Sequence, residues 1–465
     1  MRIHLEQLPH QEEAIKKILE AMQNCLDDSG SDADAGYTYA NPILKKLRGI
    51  DIKMETGTGK TYVYTRLMHE LYLHFGLNKF IVMVPSLAIK EGVKSFITSE
   101  SATQHFRELY HNQKINLGIV NAGDFNTKKG KRKQFAAALA NFCEASRRDI
   151  GGINTLLLND AMLGSKSMTR NDYDQTLIGS SSCPAEALRL TRPIIIIDEP
   201  HRFSHDTKAW ENIKTLNPQL IIRFGATFPS KELNNIVYNL NAVESFNQGL
   251  VKAVNVIYPD LPEHQAEVKY RVESVTNKEL FLRKDKQTFT LQIGEDLSLV
   301  DPLFEGNTTY EGKKLSNDLE VFPGMTLIPG TWTNSYQELV IRQSIDAHFA
   351  KEKDLFYRPG GAPRVKTISL YFIDSIASYR DQDGWLKSTF EKLLSEKLTS
   401  LIQRESGEYR DYLLATLASL KSDQQQVHAG YFAEDNAKKG DDGIQAEVDD
   451  ILRNKETMLQ FKDDH

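Results

Sequence analysis

The sequence predicts an α/β protein built on a parallel, doubly wound sheet, and three observations carry that expectation. Continuous apolar runs such as Lys79-Phe-Ile-Val-Met-Val84 and Pro193-Ile-Ile-Ile-Ile-Asp198 suit strands covered on both faces. Stretches with helical spacing alternate with such runs through residues 1–255, the order that gives parallel strands joined by helical crossovers. A glycine-rich turn, Thr56-Gly-Thr-Gly59, lies between a strand-like run and a helical one.

Taken in order, residues 7–22 read as an amphipathic helix entered through Pro9. Gln11, near its start, carries an amide able to donate to and accept from an adenine edge, or simply to face solvent. The polar stretch 27–36 reads as a loop. Ile50 to Met54 alternates as a strand, and Val63, Leu67, Leu71 and Phe75 mark the helix after the glycine turn. Lys79–Val84 is a strand, Leu87–Ile97 a helix, 115–121 and Ile153–Leu158 further strands. Between them Lys128-Lys-Gly-Lys-Arg-Lys133 places five cations in six positions, a solvated loop or a contact for phosphate backbone. Residues 164–190 read as an excursion. Leu220–Gly225 is another buried strand, and Lys231–Leu240 has a helical pattern.

Composition shifts near 255. Short alternating runs (Tyr270–Val275, Thr288–Ile293) among many turn residues predict a small β-rich insert within 256–363, closed by a helix over 333–353 and a Pro/Gly linker at 358–363. A second α/β unit is expected over 364–465, opening with the apolar run Val365–Ile373. Only two strands can be counted there, too few for a covered sheet of its own.

Two stretches carry chemistry. Strand, glycine turn and helix over Asp51–Thr61 form the context of a phosphate-binding loop. Glycines let successive N–H groups approach phosphate oxygens, and the helix N-terminus adds partial positive charge. Thr56, Gly57, Thr58 and Gly59 would cradle the phosphates, Lys60 would reach the terminal ones, and Thr61 would place its hydroxyl on Mg²⁺. Met54 stands where the general pattern has its first glycine. The second stretch is Asp198-Glu199-Pro200-His201, at the end of a buried strand, where open α/β sheets place ligands. Asp198 would hold Mg²⁺, usually through water, and Glu199 would orient and deprotonate the water attacking a γ-phosphate. His201 could couple nucleotide state to a neighbour or be a solvated loop residue. Gly225-Ala226-Thr227 ends its own strand, where the threonine hydroxyl could bond to the acidic motif.

Bulk properties bound the rest. A 465-residue chain with 40% apolar and 26% charged residues is ordinary for a soluble protein of roughly three domains. No apolar run approaches the roughly 18 residues that cross a bilayer, so no membrane association is expected. Three scattered cysteines suggest neither disulfides nor zinc and fit a cytoplasmic setting. A net charge of −6 leaves nucleic-acid contact to local surfaces.

The chain resembles the restriction (Res) subunit of Type III restriction–modification enzymes, within the superfamily 2 helicase-like ATPases. The resemblance is carried by Met54-Glu-Thr-Gly-Thr-Gly-Lys-Thr61, Val82–Ile89, Asp198-Glu-Pro-His201, Gly225-Ala-Thr-Phe228 and Ser369–Asp374 with Tyr379-Arg380. Met54 agrees with that family, and Leu8-Pro-His-Gln11 is similar to its adenine-reading segment. The resemblance implies two RecA-like motor domains and ATP with Mg²⁺ as ligands. It also implies double-stranded DNA touched near Pro85 and Ser86 and near Lys128, Lys129, Lys131, Arg132 and Lys133, and a modification methyltransferase partner. Later motor motifs and a nuclease motif are missing from the sequence, so it is expected to hold a RecA-like domain over 1–255 and part of a second over 364–465. An arginine supplied from that second domain is worth about 10³–10⁵ in rate in other nucleotide hydrolases, so turnover by this chain alone is expected to be weak. Rival readings are a general superfamily 2 helicase or repair translocase, a non-catalytic DNA- or partner-binding remnant, and a P-loop kinase. The kinase is disfavoured because Gly225-Ala-Thr has a strand of its own.

Overall fold

The computed structural model describes most of residues 5–428; residues 1–4, 26–38, 126–132, 147–151, 261–267, 429–465 and a few shorter stretches lie outside the description. The chain packs as two units, the first built on Met1–Val254 and the second on Asn255–Lys439.

The first unit is a seven-stranded sheet: β1 (Gly49–Met54), β2 (Lys79–Val84), β3 (Lys114–Ile119), β4 (Gly152–Asn159), β5 (Ile194–Asp198), β6 (Leu220–Gly225) and β7 (Ile236–Leu240). Its order is β3-β4-β2-β5-β6-β1-β7, and every pairing is parallel. The apolar runs explain the layers. In β2, Phe80, Val82 and Val84 point into one core and Ile81 and Met83 into the other; in β5, Ile194 and Ile196 divide in the same way from Ile195 and Ile197. A strand whose every side chain is apolar must be covered twice. Helix α1 (Pro9–Met22) and helix α2 (Lys60–Phe75) pack into the first core.

The first unit differs from the sequence reading in its edge strand and in helices that the sequence did not announce. The helical pattern expected over Lys231–Leu240 fails at its described C-terminal half: Ile236–Leu240 is the edge strand β7, with Tyr238 and Leu240 buried and Ile236 outward. Pairing to β1 decides the conformation of a five-residue stretch too short for its periodicity to do so. Two helices not anticipated, Glu100–Tyr110 and Ala137–Glu144, flank β3.

The second unit holds a four-stranded antiparallel sheet, β8 (Tyr270–Val275), β9 (Glu279–Lys284), β10 (Gln287–Gln292) and β11 (Thr326–Leu327), in the order β10-β9-β8-β11. Tyr270, Val272, Leu280, Leu282 and Leu291 form its core. Helices Asn334–Phe356, Trp385–Arg404 and Gly407–Leu420 share a separate core around Ile345, Leu398 and Leu413. Residues 365–373, expected as a strand, form none, and Leu370 and Phe372 are 78% and 94% exposed. A strand exists only through pairing, and among the described residues no strand lies beside this run. The expected strand at 427–432 and the helix at 444–459 fall wholly or mostly outside the described residues.

Candidate functional site

Because β1, β6 and β5 are parallel neighbours, their C-terminal ends open on one edge of the sheet. That edge gathers the glycine turn after β1, Gly225-Ala-Thr after β6, and Asp198-Glu199 after β5.

The turn is braced from inside. Gly59 caps α2 with φ +91°, a left-handed conformation open to glycine, and a side chain there would also overlap the Gln11 amide. Thr58 turns inward: its hydroxyl donates to the Glu55 carbonyl at 2.6 Å. Its own carbonyl lies 3.2 Å from Gln11 Nε2 and 2.8 Å from His10 Nε2. Gln11 Oε1 is buried with no hydrogen-bond partner among the described residues. The Thr56 N–H donates to its neighbour's carboxylate, Glu55 Oε1, at 2.9 Å. Lys60 and Thr61 begin α2, where N–H groups lack intrahelical acceptors.

The acidic end is built from strain and close packing. Glu199 adopts φ 55°, ψ 64°, unusual for a side chain with a Cβ, and its N–H donates to the Phe224 carbonyl at 3.0 Å. Its two carboxylate oxygens divide between Lys60 Nζ at 3.4 Å and His201 Nδ1 at 3.4 Å. His201 Nδ1 also lies 3.3 Å from the Thr227 hydroxyl. Lys60, Glu199, His201 and Thr227 therefore form one polar chain across the ends of three strands. Gly225 makes it possible: a Cβ there would stand 2.5 Å from Pro200 Cδ and 2.9 Å from Pro200 Cγ. Asp198 is 5% exposed, and burial raises its pKa to about 6, with Lys60 opposing and Glu199 adding to the shift. Its Oδ2 accepts a hydrogen bond from Tyr64 Oη at 3.4 Å. Its Oδ1 is buried without a hydrogen-bond partner among the described residues. A buried carboxylate oxygen without a partner, together with the Thr61 hydroxyl in the first turn of α2, is a donor set that fits Mg²⁺, which takes one or two carboxylates and keeps water.

The profile of the family described as "Type III restriction enzyme, res subunit" matches residues 4–230. Over the whole chain the sequence is 52% identical to the Res subunit of the Type III restriction-modification enzyme StyLTI of Salmonella typhimurium (strain LT2), covering 49% of that protein. The chain belongs to the Res-subunit family of Type III restriction enzymes. A second relative, the EcoP15I Res subunit of Escherichia coli, is 37% identical over 89% of the chain and 42% of its own length. This Res-family chain thus spans about half the length of the curated relatives it matches. Among solved structures it is similar to a Sulfolobus solfataricus SWI2/SNF2 ATPase core in complex with dsDNA (TM-score 0.26, 10% identity, 50% of this chain and 34% of that one). It is also similar to the UvsW helicase of bacteriophage T4 (TM-score 0.25, 11% identity, 49% and 56%).

Of the residues singled out in this Res-family sequence, Gln11, Thr56–Thr61, Asp198, Glu199, His201 and Gly225–Thr227 come to the one edge. Pro85 and Ser86 follow the end of β2, and Ser86 caps the helix Leu87–Thr98 by accepting from the Ile89 N–H at 3.4 Å. Lys128, Lys129, Lys131 and Arg132 lie outside the described residues. Lys133 is described: its N–H donates to Asp174 Oδ2 at 2.6 Å, and its ammonium pairs with Asp172.

Two residues escaped the sequence reading. Arg223, in β6, is buried and bonds both oxygens of Asp51 in β1, at 2.7 and 2.8 Å, and the Glu232 carbonyl at 2.8 Å. The signal was present: a cation inside the apolar run Leu-Ile-Ile-Arg-Phe and an acid between two isoleucines in Gly-Ile-Asp-Ile. Tyr64 is the other, four residues after Lys60 and hence on the same side of α2.

Proposed function

We propose that this Res-family chain is the motor part of a DNA-translocating restriction subunit, and that its first unit binds ATP with Mg²⁺ at Gly57–Thr61, Asp198 and Glu199. The observation that carries the reading is the polar chain Lys60–Glu199–His201–Thr227, which joins a phosphate cradle to an acidic strand end and to a third motif. A single anion-binding turn would not need the last two members.

In this reading the backbone N–H groups of Thr56–Gly59 and the start of α2 bind the phosphates, and Lys60 turns from Glu199 to the terminal phosphate oxygens. Thr61 and Asp198 would hold Mg²⁺, which would neutralise phosphate charge. Glu199, freed from Lys60, accepts the proton of the attacking water, and its strained backbone fixes the carboxylate direction. His201 follows Glu199 through a direct contact and passes the change to Thr227. Gln11, already on the loop carbonyl of Thr58, has its Oε1 left for the adenine amino group. Duplex DNA crosses the strand-end side, touched by Pro85, Ser86 and the cationic stretch Lys128–Lys133, and the modification methyltransferase is the protein partner.

Titration with a non-hydrolysable ATP analogue and Mg²⁺ tests the site. Wild type and Glu199→Gln should bind with similar affinity, and Lys60→Ala should weaken binding by at least about 100-fold, the scale of a desolvated ammonium–phosphate contact. Unchanged affinity in Lys60→Ala would overturn the assignment. Replacing all five cations of 128–133 with alanine should flatten the salt dependence of duplex binding by up to about four units of log K per log salt. An unaltered slope would exclude that stretch from the DNA surface.

A further inference from the structure

We propose that Tyr64 is a positioning residue that aims the Asp198 carboxylate at the metal ion of the bound nucleotide. The assignment rests on the ATP·Mg²⁺ reading of the same site. Tyr64 stands one helical turn beyond Lys60, and its ring is wholly buried. Phe224 meets it edge-on, with ring centroids 5.6 Å apart and planes at 64°. Phe224 is also the β6 residue in register with Asp198. The strand pair that presents Asp198 therefore also locks the ring that reaches it.

The hydroxyl so delivered donates to Asp198 Oδ2 at 3.4 Å, while Oδ1 is left buried with no hydrogen-bond partner among the described residues. Burying a carboxylate oxygen without a partner costs free energy that a core selected for packing alone would avoid. Phenylalanine at position 64 would fill the same space against Phe224 without burying a hydroxyl. Thr61 stands one turn earlier on the same helix, so Tyr64 and the second side chain that would hold the metal rise from adjacent turns of α2. With Oδ2 engaged and the ring fixed, Asp198 has one free oxygen in a set direction. That is a one-oxygen ligand, suited to a small octahedral cation that keeps most of its water.

The test is the affinity of the full chain for a fluorescent ATP analogue, measured in EDTA and across a Mg²⁺ titration. Tyr64→Phe should bind nucleotide in EDTA as wild type does, with its half-maximal Mg²⁺ concentration raised about tenfold, the low end of the effect of removing a partner behind a metal ligand. A wild-type Mg²⁺ midpoint would overturn the proposal. So would an equal loss of affinity with and without Mg²⁺, which marks a packing role. Asp198→Asn separates the two readings. Full Mg²⁺ enhancement in that variant overturns the metal site itself; enhancement lost there but intact in Tyr64→Phe overturns only the role of Tyr64. In the Asp198→Asn background Tyr64→Phe should have no further effect, and an undiminished effect there also counts against it.

Discussion

At the scale of single residues, His69 on α2 shows how burial sets a proton equilibrium in this chain. It stacks on Tyr110, centroids 4.8 Å apart and planes at 5°, and on Phe106, and its Nδ1 lies 3.0 Å from Gln113 Oε1. Burial lowers its pKa to about 4, against the weaker opposing pull of Gln113. The unfolded chain takes up this proton near pH 6.5 and the folded chain only near 4. The neutral imidazole therefore contributes stability at pH 7 that is lost as pH falls through that window, up to about 3 kcal/mol. Denaturant titrations at pH 7 and pH 4.5 should show wild type losing about 2 kcal/mol more than His69→Gln. Equal losses would mean that His69 is protonated in the fold. Burial acts on a thiol in the same way: it pushes the Cys143 thiol up to about 12, which removes it as a nucleophile at neutral pH.

At the scale of elements, the site depends on how β6 is held. Arg223 ties β6 to β1 through Asp51, and Glu232 lies 3.5 Å from its Nη1 and accepts from the His205 N–H at 2.7 Å. The guanidinium sits over Trp210 and Phe228, 6.0 and 5.5 Å from their centroids. It thus joins the strand before the phosphate turn, the loop after His201 and the segment after Thr227. Arg223→Met leaves Asp51 buried and unpaired, and should destabilise the first unit by about 3–5 kcal/mol in urea unfolding. A loss below about 1 kcal/mol would show that water reaches Asp51 and that the pair is not a clamp. Gly225→Ala tests the packing directly. Its methyl must displace Pro200, so Glu199 and His201 move away from Lys60 and Thr227, and nucleotide affinity should fall although no site side chain has changed. Unchanged affinity together with unchanged stability would mean that the Pro200 loop shifts freely.

Legibility in the sequence followed the strength of local signals. β2 and β5 were readable because a continuous apolar run of that length has little alternative to a doubly covered strand. The glycine turn was readable because strand, glycines and Lys-Thr must occur in that order. β7 was misread because Ile236–Leu240 has helical and strand periods of similar merit until β1 supplies hydrogen bonds. Residues 365–373 were misread because an apolar run does not itself provide a neighbouring strand. Arg223 and Tyr64 were passed over because a buried charge or hydroxyl has meaning only once its partner on another element is known.

At the scale of the whole molecule, function rests on the sheet order. Positions 57–61, 198–201 and 225–227 are remote in the chain, and only the adjacency β5-β6-β1 brings them to one edge. We propose that these three segments form one ATP site. Hydrogen exchange of the full chain, followed by peptide with and without a non-hydrolysable ATP analogue and Mg²⁺, tests it most directly. A single shared site requires slowed exchange in peptides covering 56–61, 198–201 and 225–227 together, at one ligand concentration dependence, and no slowing in Lys60→Ala. Protection confined to 56–61, or protection of all three that persists in Lys60→Ala, would contradict it.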